Sequence, residues 1–364
     1  MIAVEATAPG KAVLIGEYAV LEGAPAIAMA VDRHARIRIE SCASDQCLVR
    51  AAQLDIAPVS FRINAAESLD WDVSAPGWPR LQQTASLLSY LHGLVVQRFG
   101  DPGPFQIDID TAELFLESDQ GTTKVGLGSS SAVAVALDAG LRRFAGGPHA
   151  SGLSMHALKR LLTPYRRGQD GQGSGIDLAT SLCGGVISYR KVDGQAQVER
   201  ISLPESLILM FVWTGQPAST SDMLSQFRQW QAKAPEQARQ LLGQMQSVSE
   251  AALQAVRQAD TEALIETFAA YGRLMGTMGS LMGASVLTAE HRRILARSES
   301  LGLAYKPSGA GGGDLGMVAG TDPGQMHEMG RWLENEGLHQ IVLQTDGTGV
   351  ETRVDTSGQG PTLT

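Results

Sequence analysis

The chain has 364 residues and a formal net charge of −9, with 43% apolar and 18% charged residues. That balance describes a folded globular protein, and the length exceeds what one hydrophobic core usually fills, so two domains are expected. The acidic surplus excludes nucleic acid and anionic membrane as main partners, since both demand a basic field, but leaves room for an anionic small molecule held by a few lysines and backbone amides.

At the N-terminus, Lys11 and Glu17 interrupt the apolar stretch and no small-residue cleavage site follows a basic start, so no signal peptide is expected. Residues 12–15 and 35–39 read as strands. The second alternates Arg36, Ile37, Arg38, Ile39, as a half-exposed edge does, and a turn with Gly16, Gly23 and Pro25 separates the two. A polar region with Pro58, Pro76, Gly77 and Pro79 leads into a helical pattern over residues 80–99, stopped by the glycines and prolines of 100–104. Residues 105–109 alternate as a strand. A serine- and glycine-rich loop then feeds a helix running to about Phe144.

The block 168–175, GQDGQGSG, ends in Ile176 and Asp177, where helical patterning resumes, and a strand follows at 186–189. A second domain is expected to begin with the strand 208–212 and its loop, so the division is placed at 1–203 and 204–364. Residues 235–283 are rich in Ala, Gln and Leu and predict two or three helices, with Met275, Met278 and Met282 as core filler at helical spacing. A glycine-rich loop over 306–318 enters an apolar strand, and the tail after Thr352 is expected to fray. The longest apolar run, 207–213, is far too short to span a membrane. Cys42, Cys47 and Cys183 form no disulfide framework or zinc spacing and read as reduced thiols of a cytoplasmic protein.

Three glycine-rich segments carry the chemistry. In KVGLGSSSAVAVA, Gly126 and Gly128 permit torsions that a β-carbon forbids, so main-chain amides can converge on an anion. Ser129, Ser130 and Ser131 then place hydroxyls at a helix start, where free amides and the macrodipole favour negative charge. An ordinary helix cap after a glycine turn accounts for this segment equally well when it is taken alone. In PGKAVLIGEYAVLEG, Lys11 stands at a strand start, where its ammonium either points into a cleft or is solvated like most lysines. In KPSGAGGGDLGMV, the density of Gly309, Gly311, Gly312 and Gly313 points to backbone passing close to a ligand or another strand. The serine loop lacks the Gly-Lys-Ser/Thr ending of a P-loop, and a dinucleotide fingerprint would need glycine where Ser131 stands.

In this order, PGKAVLIGEYAV, VGLGSSSA and KPSGAGGGD resemble the three signature motifs of the GHMP-type small-molecule kinases, the superfamily of galactokinase, homoserine kinase, mevalonate kinase and phosphomevalonate kinase. Within it, WTGQPAST and GAGGGDLG resemble the phosphomevalonate kinase group. The resemblance implies an α+β, two-lobed fold with nucleotide and substrate in the cleft between N- and C-terminal domains. It also implies transfer of the γ-phosphoryl group of ATP, with Mg2+, to 5-phosphomevalonate in the route to isopentenyl diphosphate. Mevalonate kinase and a catalytically silent metabolite sensor are the alternatives, and monomer and homodimer both stay open.

Carried onto this sequence, the motifs assign the ATP phosphates to Gly126, Leu127, Gly128, Ser129, Ser130 and Ser131, with Ser130 as Mg2+ ligand and Ser129 as second choice. Asp177 falls beside the acceptor oxygen and Lys11 close to both. The acceptor is assigned to Lys11, Ser174, Gly175, Ser219, Thr220, Lys306, Gly309, Ala310 and Gly311, with Arg166 and Arg167 ranked lower. Residues 165–171 depart from the family pattern, in which a histidine and small residues precede this block.

Overall fold

The structure, a computed structural model, describes residues 2–43, 47–54, 56–118, 121–152, 154–167 and 173–355. Its strands are, in chain order, β1 (Ala3–Ile15), β2 (Ala26–Ser41), β3 (Cys47–Ala51), β4 (Val59–Ile63), β5 (Leu69–Trp71), β6 (Phe105–Asp110), β7 (Phe115–Ser118) and β8 (Gly121–Lys124). There follow β9 (Val186–Val192), β10 (Gln195–Ile201), β11 (Ile208–Trp213), β12 (Ala304–Ser308), β13 (Leu315–Gly320), β14 (His339–Ile341) and β15 (Glu351–Asp355). The helices are α1 (Trp78–Phe99), α2 (Ser129–Phe144), α3 (Met155–Arg167), α4 (Ile176–Cys183), α5 (Thr220–Lys233), α6 (Pro235–Arg257), α7 (Thr261–Met282), α8 (Ala289–Ser300) and α9 (Pro323–Asn335).

The large sheet runs β10-β9-β2-β6-β3-β4-β5, with β1 paired along the other edge of β2 and β15 paired to β1. Among the described residues its pairings are antiparallel except that of β3 with β6. Side-chain alternation divides two cores: β2 sends Ala26 and Ala28 into one and Ile27, Met29 and Val31 into the other. A strand buried on both faces reads as a continuous apolar run, as AIAMAV does. Farther along, Ile37 and Ile39 stay in the first core while Arg36 is exposed and Arg38 half-buried. The sequence pointed to an edge there, but β2 is flanked on both sides; one solvated face of an interior strand produces the same alternation.

α1 to α4 cover one face of this sheet and bury the first core. α2 is nearly all buried, and its small side chains let it lie against β1 and β2. The charged pair Asp138–Arg160 (Nε to Oδ1 2.8 Å) ties it to α3. The second sheet, β12-β13-β11-β14, is antiparallel. Phe211, Leu315 and Met317 face the second core, shared with α5, α6 and α7, whereas Met210, Val212 and Val318 pack with α8 and α9. Met275 and Met278 are fully buried in the second core, as their spacing suggested.

Two further expectations are corrected. The proline-rich region before α1 contains β3, β4 and β5, short strands whose pairing to β6 and to one another is non-local. Beyond Thr352, the chain continues in β15, whose residues up to Asp355 pair with Ala3–Thr7; the rest of the tail lies outside the described residues. The proposed 203/204 division falls between β10 and β11, and the chain after it supplies the whole second sheet together with β15. Among the described residues no helix is long and apolar enough to cross a membrane.

Candidate active site

A cleft of about 440 Å3 opens where β1, the starts of α2, α4 and α5, and the third glycine loop converge. Lys11 lies inside β1, and its amide donates to Leu127 O at 2.8 Å, which locks the strand to the serine loop. The approach depends on Gly10, because a β-carbon there would stand 2.7 Å from that carbonyl. Gly128 adopts φ 74°, starts α2, and leaves no room for a β-carbon free of the Lys11 stem, which would be 3.0 Å away. Ser131 is buried and its hydroxyl turns back to Gly128 O at 2.7 Å, whereas Ser130 is exposed, with its hydroxyl 3.1 Å from that of Tyr165.

Opposite this loop, Asp177 occupies the first turn of α4, where the helix dipole favours a carboxylate. Its Oδ1 lies 3.7 Å from Lys11 Nζ, with side-chain exposures of 31% and 8%. The turn is fixed by Ser174, whose hydroxyl accepts from Ile176 N (3.2 Å) and whose carbonyl accepts from the Tyr189 hydroxyl (2.7 Å).

The far wall joins the first motif to the third. Lys306 Nζ donates to Glu17 Oε1 and to Pro307 O, each at 2.5 Å, and Glu17 Oε1 also accepts from Gly309 N at 3.1 Å. Among the described residues Glu17 Oε2, which is buried, has no hydrogen-bond partner. Tyr18 takes a positive φ of 62° and donates its hydroxyl to Ala310 O, while the buried Tyr271 hydroxyl donates to Glu17 O. Burial lowers the Lys306 pKa and the field of Lys11 lowers it further, against the opposing pull of Glu17. Below the loop, His291 donates and accepts between Gly313 O (3.1 Å) and the Tyr305 hydroxyl (2.6 Å), and burial depresses its pKa to about 4. Asp314 ends the loop; burial raises its pKa against the fields of Lys124 and Lys11 and a bond from Ala218 N.

No family model matches the chain. A phosphomevalonate kinase of Streptomyces sp. (strain CL190) is 28% identical over 369 residues, covering 92% of this chain and 95% of that protein. A mevalonate kinase of Pyrococcus horikoshii is 26% identical, covering 95% and 96%. The solved Streptococcus pneumoniae phosphomevalonate kinase in complex with phosphomevalonate and AMPPNP superposes with a TM-score of 0.76 at 20% identity, covering 95% of this chain and 100% of that one. Over nearly its whole length the chain is similar to GHMP-type kinases. Of the two curated relatives named here, the phosphomevalonate kinase is the more similar.

The cleft gathers residues that the sequence scatters. Lys11, Gly126, Gly128 and Ser130 line it together with Ser174, Gly175 and Asp177. Ser219, Thr220, Gly309, Ala310 and Gly311 complete the opposite side. Leu127, Ser129 and Ser131 do not line it: Leu127 and Ser131 are buried, and Ser129 faces a second cavity. Lys306 is fully buried and its ammonium is held by Glu17, so the structure gives it a place behind the cleft wall. The side chains of Arg166 and Arg167, and residues 168–172 of the glycine block, lie outside the described residues.

Reasoning from sequence missed three features. The second cavity, about 240 Å3, lies against α1 and shares Gln83, Ser130 and Tyr165 with the cleft. It has no local signal, because its walls come from elements far apart in the chain. Lys124 and Asp314 both line the cleft, and both stood at the ends of quoted motifs without an assigned role. Mg2+ takes one or two protein ligands and keeps the rest as water and phosphate oxygens, so the exposed Ser130 hydroxyl fits such an ion although the described residues hold no cluster of three metal-ligating side chains.

Proposed function

We propose that this GHMP-type kinase transfers the γ-phosphoryl group of ATP to the phosphate of (R)-5-phosphomevalonate, giving ADP and 5-diphosphomevalonate in the mevalonate route. The observation that carries it is the convergence of Lys11, Ser130, Asp177 and the Ser219–Thr220 loop on one cleft. The phosphomevalonate and AMPPNP bound by the pneumococcal relative, and the curated phosphomevalonate kinase, support it.

The amides and hydroxyls at the start of α2 would hold the triphosphate, with the nucleoside in the second cavity across Ser130 and Tyr165. Mg2+ would neutralise phosphate charge, with the Ser130 hydroxyl as a protein ligand. An acceptor phosphate oxygen then attacks the γ-phosphorus in line while the bond to the β–γ bridging oxygen breaks and ADP leaves. Lys11 stabilises charge on the transferring group. The acceptor is already ionised near neutrality, so Asp177 has little need to act as a strong base; it orients Lys11, 3.7 Å away, and the acceptor. Ser219 and Thr220 supply donors for the acceptor phosphate from the α5 N-terminus.

A second acceptor has an observation in its favour: Asp177 beside a lysine also suits an alcohol, and mevalonate kinases are among the relatives. Incubating the protein with ATP, Mg2+ and, separately, mevalonate, 5-phosphomevalonate, homoserine and galactose, and following ADP release, tests both. Turnover with 5-phosphomevalonate is expected. Turnover with mevalonate alone selects the alcohol, and turnover with none leaves a binding protein.

A further inference from the structure

Among the described residues three carboxylates line the cleft, and two of these are engaged. Glu17 is held by Lys306 and Gly309, and Asp177 faces Lys11. Asp314 differs from both. Its Oδ1 accepts from Ala218 N at 3.0 Å, but among the described residues its Oδ2 has no hydrogen-bond partner and no cation within ion-pair distance. That side chain leans on the serine loop: a β-carbon at Gly126 would stand 2.9 Å from Oδ2. The backbone of Asp314 has φ 54°, in the left-handed region that glycine occupies without strain, and four glycines lie within the five residues before it. A carboxylate therefore stands in a strained position where glycine would relax the loop.

A carboxylate beside a loop that holds a polyanion repels it unless a cation lies between. Lys11 and Lys124 act on Asp314 only through their fields. We propose that Asp314 is a ligand, directly or through water, of the divalent cation that accompanies the nucleotide's phosphates at the serine loop, acting with the Ser130 hydroxyl. This rests on the ATP-kinase reading above. One carboxylate and one hydroxyl match what a magnesium ion takes from protein when phosphates and water supply the remaining ligands. Asp314 also holds the Trp213–Ser219 loop, since its carbonyl accepts from Thr214 N and Oγ1 and its amide donates to Gln216 O. Metal loading at the serine loop is thereby linked to the segment bearing Ser219.

Asp314→Asn keeps an acceptor for Ala218 N and removes only the charge, and Asp314→Gly, which relieves the positive φ, is the variant to use if the amide does not fold. Calorimetry with AMPPNP, with Mg2+ and with EDTA, is paired with Mn2+ binding followed by electron paramagnetic resonance. Wild type is expected to bind the nucleotide more tightly with metal. The variants are expected to lose about 10- to 100-fold in Mn2+ affinity, while metal-free AMPPNP binds as tightly as to wild type or more so, because a repelling charge is gone. Equal weakening with and without metal, or unchanged Mn2+ affinity, overturns the proposal in favour of a loop clamp. Wild type that binds no nucleotide in either condition overturns the kinase reading itself, a result distinct from both.

Discussion

The first motif builds two lysine–carboxylate pairs and gives them opposite surroundings. Glu17 and Lys306 meet at 2.5 Å with side chains 4% and 0% exposed, whereas Lys11 and Asp177 stand 3.7 Å apart at the cleft wall, with Asp177 31% exposed. In the sealed pair the ammonium is held at close range by Glu17 Oε1, which also takes the Gly309 amide and, beside the Tyr18 bond to Ala310, seats the third glycine loop on the first motif. Looser contact leaves the open pair's charges available to a ligand. Residue type is therefore a poor guide to role here; burial and closeness of contact separate a structural pair from a working one.

The largest expected effect tests the open pair. Asp177→Asn and Lys11→Met should each lower turnover by about 10²- to 10³-fold, through lost positioning and lost charge stabilisation, with nucleotide affinity measured by calorimetry changing far less for Asp177→Asn and the urea midpoint almost unmoved. An Asp177→Asn enzyme with full turnover breaks the comparison on this side.

For the sealed pair the expectation is a loss of stability. Lys306→Met or Glu17→Gln alone strands a buried charge and should cost about 3–5 kcal/mol in chemical denaturation. Combining the two, which leaves no buried charge, should recover part of that. Were Lys306→Met as stable as wild type yet inactive, Lys306 would belong with the ligand after all.

Two histidines repeat the contrast through pH. His291 is buried, with its folded pKa depressed to about 4. Its contribution is present above the unfolded value of about 6.5 and is lost as pH falls toward the folded one, by up to about 3 kcal/mol. His34 is held between Asp346 (Nε2 to Oδ2 2.9 Å) and Glu113 (3.3 Å), with Arg36 bonded to Glu113. The hydrogen bond to Asp346 raises the His34 pKa against burial. Its stabilisation is full below about pH 6.5 and disappears as pH rises through the folded value. Urea midpoints from pH 4 to 8 should therefore change slope in opposite senses for His291→Gln and His34→Gln, and slopes matching wild type for both would refute the assignment.

The smallest effect sharpens the cleft rim. Ser219 caps α5 by accepting from Asp222 N at 3.3 Å, so Ser219→Ala should cost about 1 kcal/mol. Ser219→Gly should retain most of the stability, so a raised KM for the acceptor in that variant isolates the hydroxyl's contact with substrate.

What could be read from the sequence was local. The periodicity of 80–99, the glycine turn before Ser129 and the acidic start of the helix at Asp177 depend on neighbouring residues, and α1, α2 and α4 follow them closely. Long-range pairing left no such trace. Nothing near Lys306 announces Glu17, 289 positions away, and nothing in the triple serine tells which hydroxyl turns inward until Ser131 is seen bonded to Gly128. The short strands before α1 and the return of β15 to β1 were missed for the same reason, because their partners are remote and their own runs too brief to show a period.

The most direct test of the open cleft as a phosphoryl-transfer site is ADP release by the purified protein with Mg·ATP and 5-phosphomevalonate, run beside mevalonate and beside Asp177→Asn. Turnover with 5-phosphomevalonate that falls at least about a hundredfold in Asp177→Asn is the predicted result. Turnover that ignores Asp177, or none with either acceptor, would contradict it.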